Sequence, residues 1–417
     1  MRILVVSPWL PEPPHWGSGI RLRELLRGLS RKHSVTLVAY MRDWEAEHLP
    51  AVRELCEEVH PVIAGWPEGA DRAGRIRSLF SARAHSVARL AQPDMKATVR
   101  HLIDTGRFDL VQVESSHLAA LDFSGAAATV LDEHNVEYEQ LARSLPLERS
   151  AARRAFGALE YVKVLREERR AWRRFDAVAV PSERELDEVR RFNAGRPAAV
   201  VANGVDLEHF APQPETAEHG LVFTGLMRFR PNIDAVTYFV KDVLPLIRAR
   251  RPEVTFTIVG WGTSPEVEAL LGPGVTATGR VPDVRPYLAG AAAVVAPIRM
   301  GSGTRLKVLE ALAMGRPLVA TAQACEGLDL VDGRDLAIAD SPRAFADAVL
   351  RVLENPRYAA RLGESGRSQV TARFGWDSSV AQLEELHDVV LAGKGGGRKA
   401  SIVRGLAGVT APRSAAG

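Results

Sequence analysis

The sequence predicts an α/β protein built from two doubly wound domains; if the strand ends of the two face each other, the cleft between them is the default site. Three observations lead there. A chain of 417 residues is too long for one ordinary core, so two domains of about 200 residues each are expected. Short apolar runs alternate with amphipathic helical patterns, which marks parallel sheets covered on both faces. The alternation stops at a Pro- and Glu-rich linker, 211–220, and then starts again.

The elements follow in order. A buried strand at 3–7 leads into a Pro- and Gly-rich loop, 8–19, and then a helix at 20–31 with Ile20, Leu22, Leu25, Leu26 and Leu29 at helical spacing. Strands are expected at 35–40, 110–113, 128–131 and 177–180. After Pro181 come a helix and a turn at Asn203-Gly204, since Asn-Gly is a strong turn signal. Beyond the linker the reading is a strand at 221–224, a helix at 233–250, strands at 255–259 and 294–296, a helix after Gly303 and a strand at 317–321. The last helix spans 378–391, and 392–417, rich in Gly, Ala and Arg without periodicity, is expected to be disordered.

Composition narrows the function. The 54 basic and 51 acidic side chains leave a net charge of +3, against the large basic excess of a dedicated nucleic-acid binder. Two distant cysteines, Cys56 and Cys325, make neither a disulfide framework nor a zinc site and fit a reducing cytoplasm. The first apolar run is too short for a signal peptide, and no run approaches the roughly 20 apolar residues of a membrane span. The expectation is a cytoplasmic protein, at most peripheral to a membrane.

Chemistry concentrates at 297–321, PIRMGSGTRLKVLEALAMGRPLVAT. A strand ends at Pro297, a glycine loop follows (Gly301, Ser302, Gly303, Thr304), and a helix opens with Arg305 and Lys307. Glycines at a helix start let backbone N–H groups approach an anion, and the helix dipole favours one there. Cations in that first turn oppose the dipole, so a bound diphosphate would compensate them. Glu310, three positions after Lys307, can accept both hydroxyls of a ribose. The alternative is a solvated helix face with a Lys307–Glu310 pair.

This segment resembles the donor-binding motif of the family-4 retaining glycosyltransferases, which have the GT-B fold of two Rossmann-like domains. The resemblance implies that Glu310 binds the ribose. The family's first motif glutamate, which contacts the donor hexose, falls at Ser302, so the chain is similar to a branch carrying GSGTRLKVLEA-type sequences. VVANGVDLEHF at 200–210 resembles the family's interdomain turn, TIVGWG at 257–262 (with Gly260) the turn before the base pocket, and TGRVP at 278–282 (with Arg280) the segment lining the nucleobase. In VFTGLMRFRPN, 222–232, the family's diphosphate-binding Arg and Lys positions read Leu226 and Asn232. Arg228 and Arg230 stand nearby, either as substitutes or as surface charge.

In the N-terminal half, Gly17 and Gly19 follow the first strand and permit close approach to phosphate or sugar, or form an ordinary loop. His134, in LDEHNVEY, resembles the family's active-site histidine or is a surface or structural one, and Glu114 after LVQV points at the same cleft, either to orient an acceptor or to make a structural hydrogen bond. The stretch 149–174 holds nine basic residues among apolar ones. It is either a helix for an anionic membrane surface or a solvated helix packed by its apolar side.

The resemblance implies domains 1–205 (acceptor side) and 206–375 (donor side), with a helix at 376–391 crossing back to the first. The reaction it implies moves a hexose from a nucleoside diphosphate sugar to a glycan or lipid-linked acceptor, with retention and with His134 and Glu310 at the centre. The absence of a DxD-like cluster suggests no metal, and no further cofactor or nucleic acid is expected. A nucleotide-sugar epimerase and a non-catalytic nucleotide-sugar binder remain as alternatives. A nicotinamide enzyme is disfavoured because no GxGxxG follows either first strand.

Overall fold

The computed structural model describes residues 1–14, 16–66, 71–148, 150–214, 220–262, 264–301 and 305–394. The N-terminal sheet comprises β1 (Arg2–Ser7), β2 (Ser34–Met41), β3 (Glu58–Ile63), β4 (Leu110–Glu114), β5 (Thr129–Asp132), β6 (Ala177–Val180) and β7 (Ala198–Val200). It is wholly parallel, in the order β3-β2-β1-β4-β5-β6-β7. The C-terminal sheet comprises β8 (Leu221–Thr224), β9 (Phe256–Val259), β10 (Val275–Ala277), β11 (Ala293–Ala296), β12 (Leu318–Ala320) and β13 (Ala337–Ile338). It too is parallel, ordered β10-β9-β8-β11-β12-β13.

The order reverses between β1 and β4 in the first sheet and between β8 and β11 in the second. Crevices at the carboxyl ends of such strands are where doubly wound sheets bind ligands. Alternation along β1 shows both faces buried: Ile3 and Val5 enter one core, Leu4 and Val6 the other.

Two passes of the chain join the domains side by side. The Val205 N–H donates to the Phe374 carbonyl at 2.7 Å, and Val205 bridges Gly375. The final helix, Trp376–Lys394, then buries Val380, Leu383, Leu386 and Val390 in the N-terminal core. Its contact with the helix Gly17–Leu29 depends on Gly28, where a Cβ would lie 2.2 Å from Val380 Cγ2.

Several expected boundaries shift. The final helix runs three residues past the expected end at 391, held by a Lys394–Asp176 ion pair at 3.0 Å. Residues 392–394 are therefore helical, and the rest of the expected tail lies outside the described residues. Gly17 and Gly19 form the first turn of a helix rather than a preceding loop. The single helix expected at 233–250 is interrupted: Arg230–Tyr238 passes through a wider turn, Phe239–Val243, before Leu244–Arg248. Pro245 supplies the reason, because it has no N–H to continue the ladder and the Leu244 N–H reaches back five residues to Phe239. Among the described residues no helix is long and apolar enough to cross a membrane.

The basic stretch forms the helix Ala151–Arg174. Much of its charge is used internally. Lys163 is buried against the Ser78 carbonyl and Glu160, Arg169 stacks on Phe192 at 3.5 Å, and Arg174 donates to the Ala119 and Leu121 carbonyls.

Candidate active site

The donor half gathers at the carboxyl ends of β8, β9 and β11. Gly225 and Gly260 follow β8 and β9, and Gly260 is indispensable to their approach. Its φ is +143°, and a Cβ there would fall 1.9 Å from the Gly225 carbonyl oxygen. The helix Leu306–Ala313 starts beside them, after β11.

From that helix the Lys307 ammonium donates to Asn232 Oδ1 at 2.8 Å and stands 3.9 Å over the Phe223 ring. Desolvation, with Arg305 adding to it, pushes Lys307 down to about 7. Burial pushes Glu310 up to about 7 against the pull of Lys307. Arg305 donates to the Met300 carbonyl at 3.1 Å, while its Nε is buried with no hydrogen-bond partner. Burial also depresses Arg305, to about 10. Two cations held in a desolvated place, one with an orphan donor, are what an anion would relieve.

Arg305, Lys307 and Glu310 thus come together, with Gly260 close by. Ser302, Gly303 and Thr304 lie outside the described residues. Arg228 and Arg280 both reach the Trp261 ring, at 5.2 and 5.8 Å from its centroid. Arg230 does not join them: it is exposed at the start of its helix, where its field reaches Glu266. Asn232, at a position where the resemblance expects a cation, instead anchors Lys307 and donates to the Leu226 carbonyl at 2.9 Å.

Across the cleft, His134 follows β5 and is 6% exposed. Its Nε2–H donates to Glu114 Oε2 at 2.9 Å. The other Glu114 oxygen accepts from Gln112 Nε2 at 2.6 Å, and Gln112 Oε1 accepts from His387 Nε2 at 3.1 Å. Burial drives His387 down to about 4, so it is neutral and its N–H fixes the Gln112 amide. Glu114 is raised, first by burial and then by Asp132. His134 is therefore oriented by a buried chain that starts on the crossover helix.

Glu114, Asp132 and His134 place ligand atoms within 4.8 Å of one another, a spacing that suits a metal ion. A cation already serves Asp132: Arg21 contacts both its oxygens, at 3.0 and 2.7 Å. Arg21 also donates to the Val201 carbonyl at 2.7 Å and to Asn203 Oδ1 at 2.9 Å, tying the cleft floor to the interdomain turn. Sequence reasoning passed over Arg21, Asp132, Gln112 and His387, and read Asn203 only as a turn residue.

Gly17 faces the donor helix, its Cβ position 3.8 Å from Leu306 Cδ1, whereas Gly19 sits against Trp16. A clasp closes the two halves. Arg143 of the N-terminal domain contacts Glu326 at 2.6 and 2.9 Å and the Gly301 carbonyl at 3.2 Å. Gln323 donates to the same carbonyl at 2.9 Å, and Arg184 adds a 3.3 Å contact to Glu326.

Two facing parallel α/β domains with an anion-ready helix start and an oriented histidine define a GT-B enzyme class. Residues 17–209 match the family Glycosyltransferase Family 4, and residues 218–355 match Glycosyl transferases group 1. With both domains matched, the chain belongs to the family-4, group 1 glycosyltransferases. It is 28% identical over 215 residues to a glycogen synthase of Mycobacterium tuberculosis, covering 48% of this chain and 50% of that protein, so the match spans about half the relative's length. A GDP-mannose-dependent alpha-(1-6)-phosphatidylinositol monomannoside mannosyltransferase of Mycolicibacterium smegmatis is 28% identical over 299 residues, 62% of this chain and 78% of that one. Sucrose-phosphate synthase from Thermosynechococcus elongatus has the same fold, with a TM-score of 0.70 at 19% identity, covering 94% of this chain and 100% of that one.

Proposed function

We propose that the chain transfers a hexose from a nucleoside diphosphate sugar to a hydroxyl of a glycan or lipid-linked acceptor, with retention and without a metal. The observation that carries this is the convergence of Arg305, Lys307 and Glu310 at one desolvated helix start beside Gly260. Departure of a nucleoside diphosphate builds negative charge on the leaving oxygens, and fixed cations aimed there lower the barrier. Glu310 holds the ribose. His134, oriented by Glu114, contacts the donor sugar or the acceptor. Ser302, where the family carries a glutamate, favours one second reading, a nucleotide-sugar binder without turnover.

Thermal melts with UDP-, GDP-, ADP- and dTDP-sugars test the donor site, since a ligand that binds only the folded state raises its melting temperature. At a hundredfold excess over Kd the stabilisation is about 2.7 kcal/mol. Glu310→Ala removes hydrogen bonds to a charged group worth roughly 1.5–3 kcal/mol, so Kd should rise about ten- to hundredfold and most of the shift should vanish. An undiminished shift in that variant would remove Glu310 from the site. If wild type responds to no nucleotide sugar, the donor reading itself fails.

The same reading places the protein at the inner face of a membrane, as a peripheral enzyme of cell-surface polysaccharide or glycolipid assembly. Support comes from one surface, where the helices Arg72–Leu79 and Ala151–Arg174 pack together through Ser78 and Lys163. Phe80 is 89% exposed, Ile76 61% and Val162 57%, among exposed Arg72, Arg75, Arg77, Arg154 and Arg166. Basic residues near an anionic leaflet contribute about 1 kcal/mol each. The protein should co-sediment with phosphatidylserine vesicles and not with pure phosphatidylcholine. Phe80→Ser should weaken that partition roughly tenfold or more, given about 1.5–3 kcal/mol for a buried Phe. Equal partition of the variant would refute this contact.

A further inference from the structure

A cavity of about 360 Å³ opens at the carboxyl ends of β1, β2 and β3. Four of the chain's seven tryptophans line it: Trp9, Trp16, Trp44 and Trp66. Trp9 connects it to the site, because its ring packs edge-on against His134 with centroids 5.6 Å apart. An indole face gives a sugar ring a flat apolar surface while leaving its hydroxyls in water, and aromatic walls with a few fixed polar groups are the usual make-up of a small-molecule pocket.

The polar groups here are cationic. Arg89 lies 4.8 Å and Arg42 5.7 Å from the Trp66 ring, so two guanidiniums share one indole. Burial depresses Arg89 first, and Arg42 is the next cause. Among the described residues no hydrogen bond or ion pair holds Arg89, and its Nε is buried without a partner. The acids nearby are already engaged. Asp71 caps its helix through the Gly74 N–H at 2.7 Å, and Glu45, on the pocket wall, accepts from the Arg42 backbone N–H at 2.7 Å. A guanidinium forks onto carboxylate or phosphate oxygens, so the group that completes this pocket is an anion.

We propose that this pocket binds the acceptor and that the acceptor is an anionic sugar, a pyranose stacked on the tryptophans with its phosphate or carboxylate on Arg89. The proposal rests on the transferase reading for the word acceptor, but its chemistry can be measured alone. Intrinsic tryptophan fluorescence of the full chain is titrated with α-D-glucose 1-phosphate, methyl β-D-glucuronide, methyl α-D-glucoside and inorganic phosphate. At least one acidic sugar should titrate at least tenfold more tightly than the neutral glucoside and than phosphate alone. In Arg89→Gln that advantage should disappear, while Arg89→Lys keeps part of it. Preference for the sugar phosphate indicates a glycosyl phosphate such as a lipid-linked intermediate presents; preference for the glucuronide indicates a uronic-acid glycan.

Binding at the donor site is separated by the same variant, since it would survive Arg89→Gln. The proposal is overturned if neither acidic sugar titrates, if glucoside or phosphate binds as well, or if acidic-sugar binding persists in Arg89→Gln. The nucleotide melts report independently: Arg89→Gln should keep the donor shift. Loss of that shift in wild type would refute the transferase reading without touching the pocket titration.

Discussion

Lys307→Met should lower turnover about 10²–10³-fold, the usual effect of deleting one preorganised group that faces developing negative charge. The fold should not suffer. In the free protein the ammonium is held where desolvation lowers it to about 7 from an ordinary value of 10.5. Between those two values the unfolded chain binds a proton that the folded chain lacks. This group's contribution to stability therefore rises with pH from about 7 to about 10.5, and its penalty is fully present below 7. Glu310 has the opposite sign. Raised to about 7 from 4.5, it binds its proton in the folded state first, so its contribution falls as pH rises through that interval.

Removing the ammonium should leave the melting temperature unchanged or higher at pH 6 and flatten its rise between pH 7 and 10. A bound diphosphate holds Lys307 protonated, so donor binding takes up a proton and wild-type affinity should fall as pH climbs above about 7. Titration calorimetry in two buffers of different ionisation enthalpy measures that uptake. Near-normal turnover in Lys307→Met, or pH-independent donor binding by wild type between pH 7 and 9, would mean the ammonium does not meet the phosphates.

Lys307 and Glu310 were legible because they lie three residues apart on one helix, after a strand and a glycine loop, and local spacing alone puts them together. The partner that positions Lys307 was not, since Asn232 comes from a strand–helix junction 75 positions away. The central strands could be read as unbroken apolar runs. The edge strands could not: β3 contains Pro61, while β7, β10 and β13 span only two or three residues. Edges bury less, so their sequences carry less pattern. The His134–Glu114–Gln112–His387 chain draws on one strand, the loop after its neighbour and the crossover helix, and only the sheet order makes them neighbours. Arg21 is the instructive case. It lies four residues before Leu25, on the buried face of its helix, and an Arg at such a position announces a buried partner without naming it.

That partner makes Arg21→Met the substitution with the largest expected cost in stability. Arg21 and Asp132 are 1% and 0% exposed, and the guanidinium meets both carboxylate oxygens. Breaking a buried pair from one side costs about 3–5 kcal/mol, because the remaining charge has no solvent to turn to. Here Asp132 would be stranded beside Glu114, another buried acid whose ionisation it already disfavours. Asn203 Oδ1 and the Val201 carbonyl would lose their donors as well, loosening the chain where it leaves the N-terminal domain. Against a typical stability of 5–15 kcal/mol, such a loss should show as an early melting transition of the N-terminal domain, with the C-terminal domain melting separately. The nucleotide-induced shift of the later transition should survive, since Arg305, Lys307 and Glu310 all belong to the C-terminal domain. Adding Asp132→Asn to Arg21→Met removes the stranded charge and should recover a large part of the loss. A cost under about 1 kcal/mol for Arg21→Met, or no recovery in the double variant, would show that packing of the arginine stem, and not its charge pairing, holds the cleft floor.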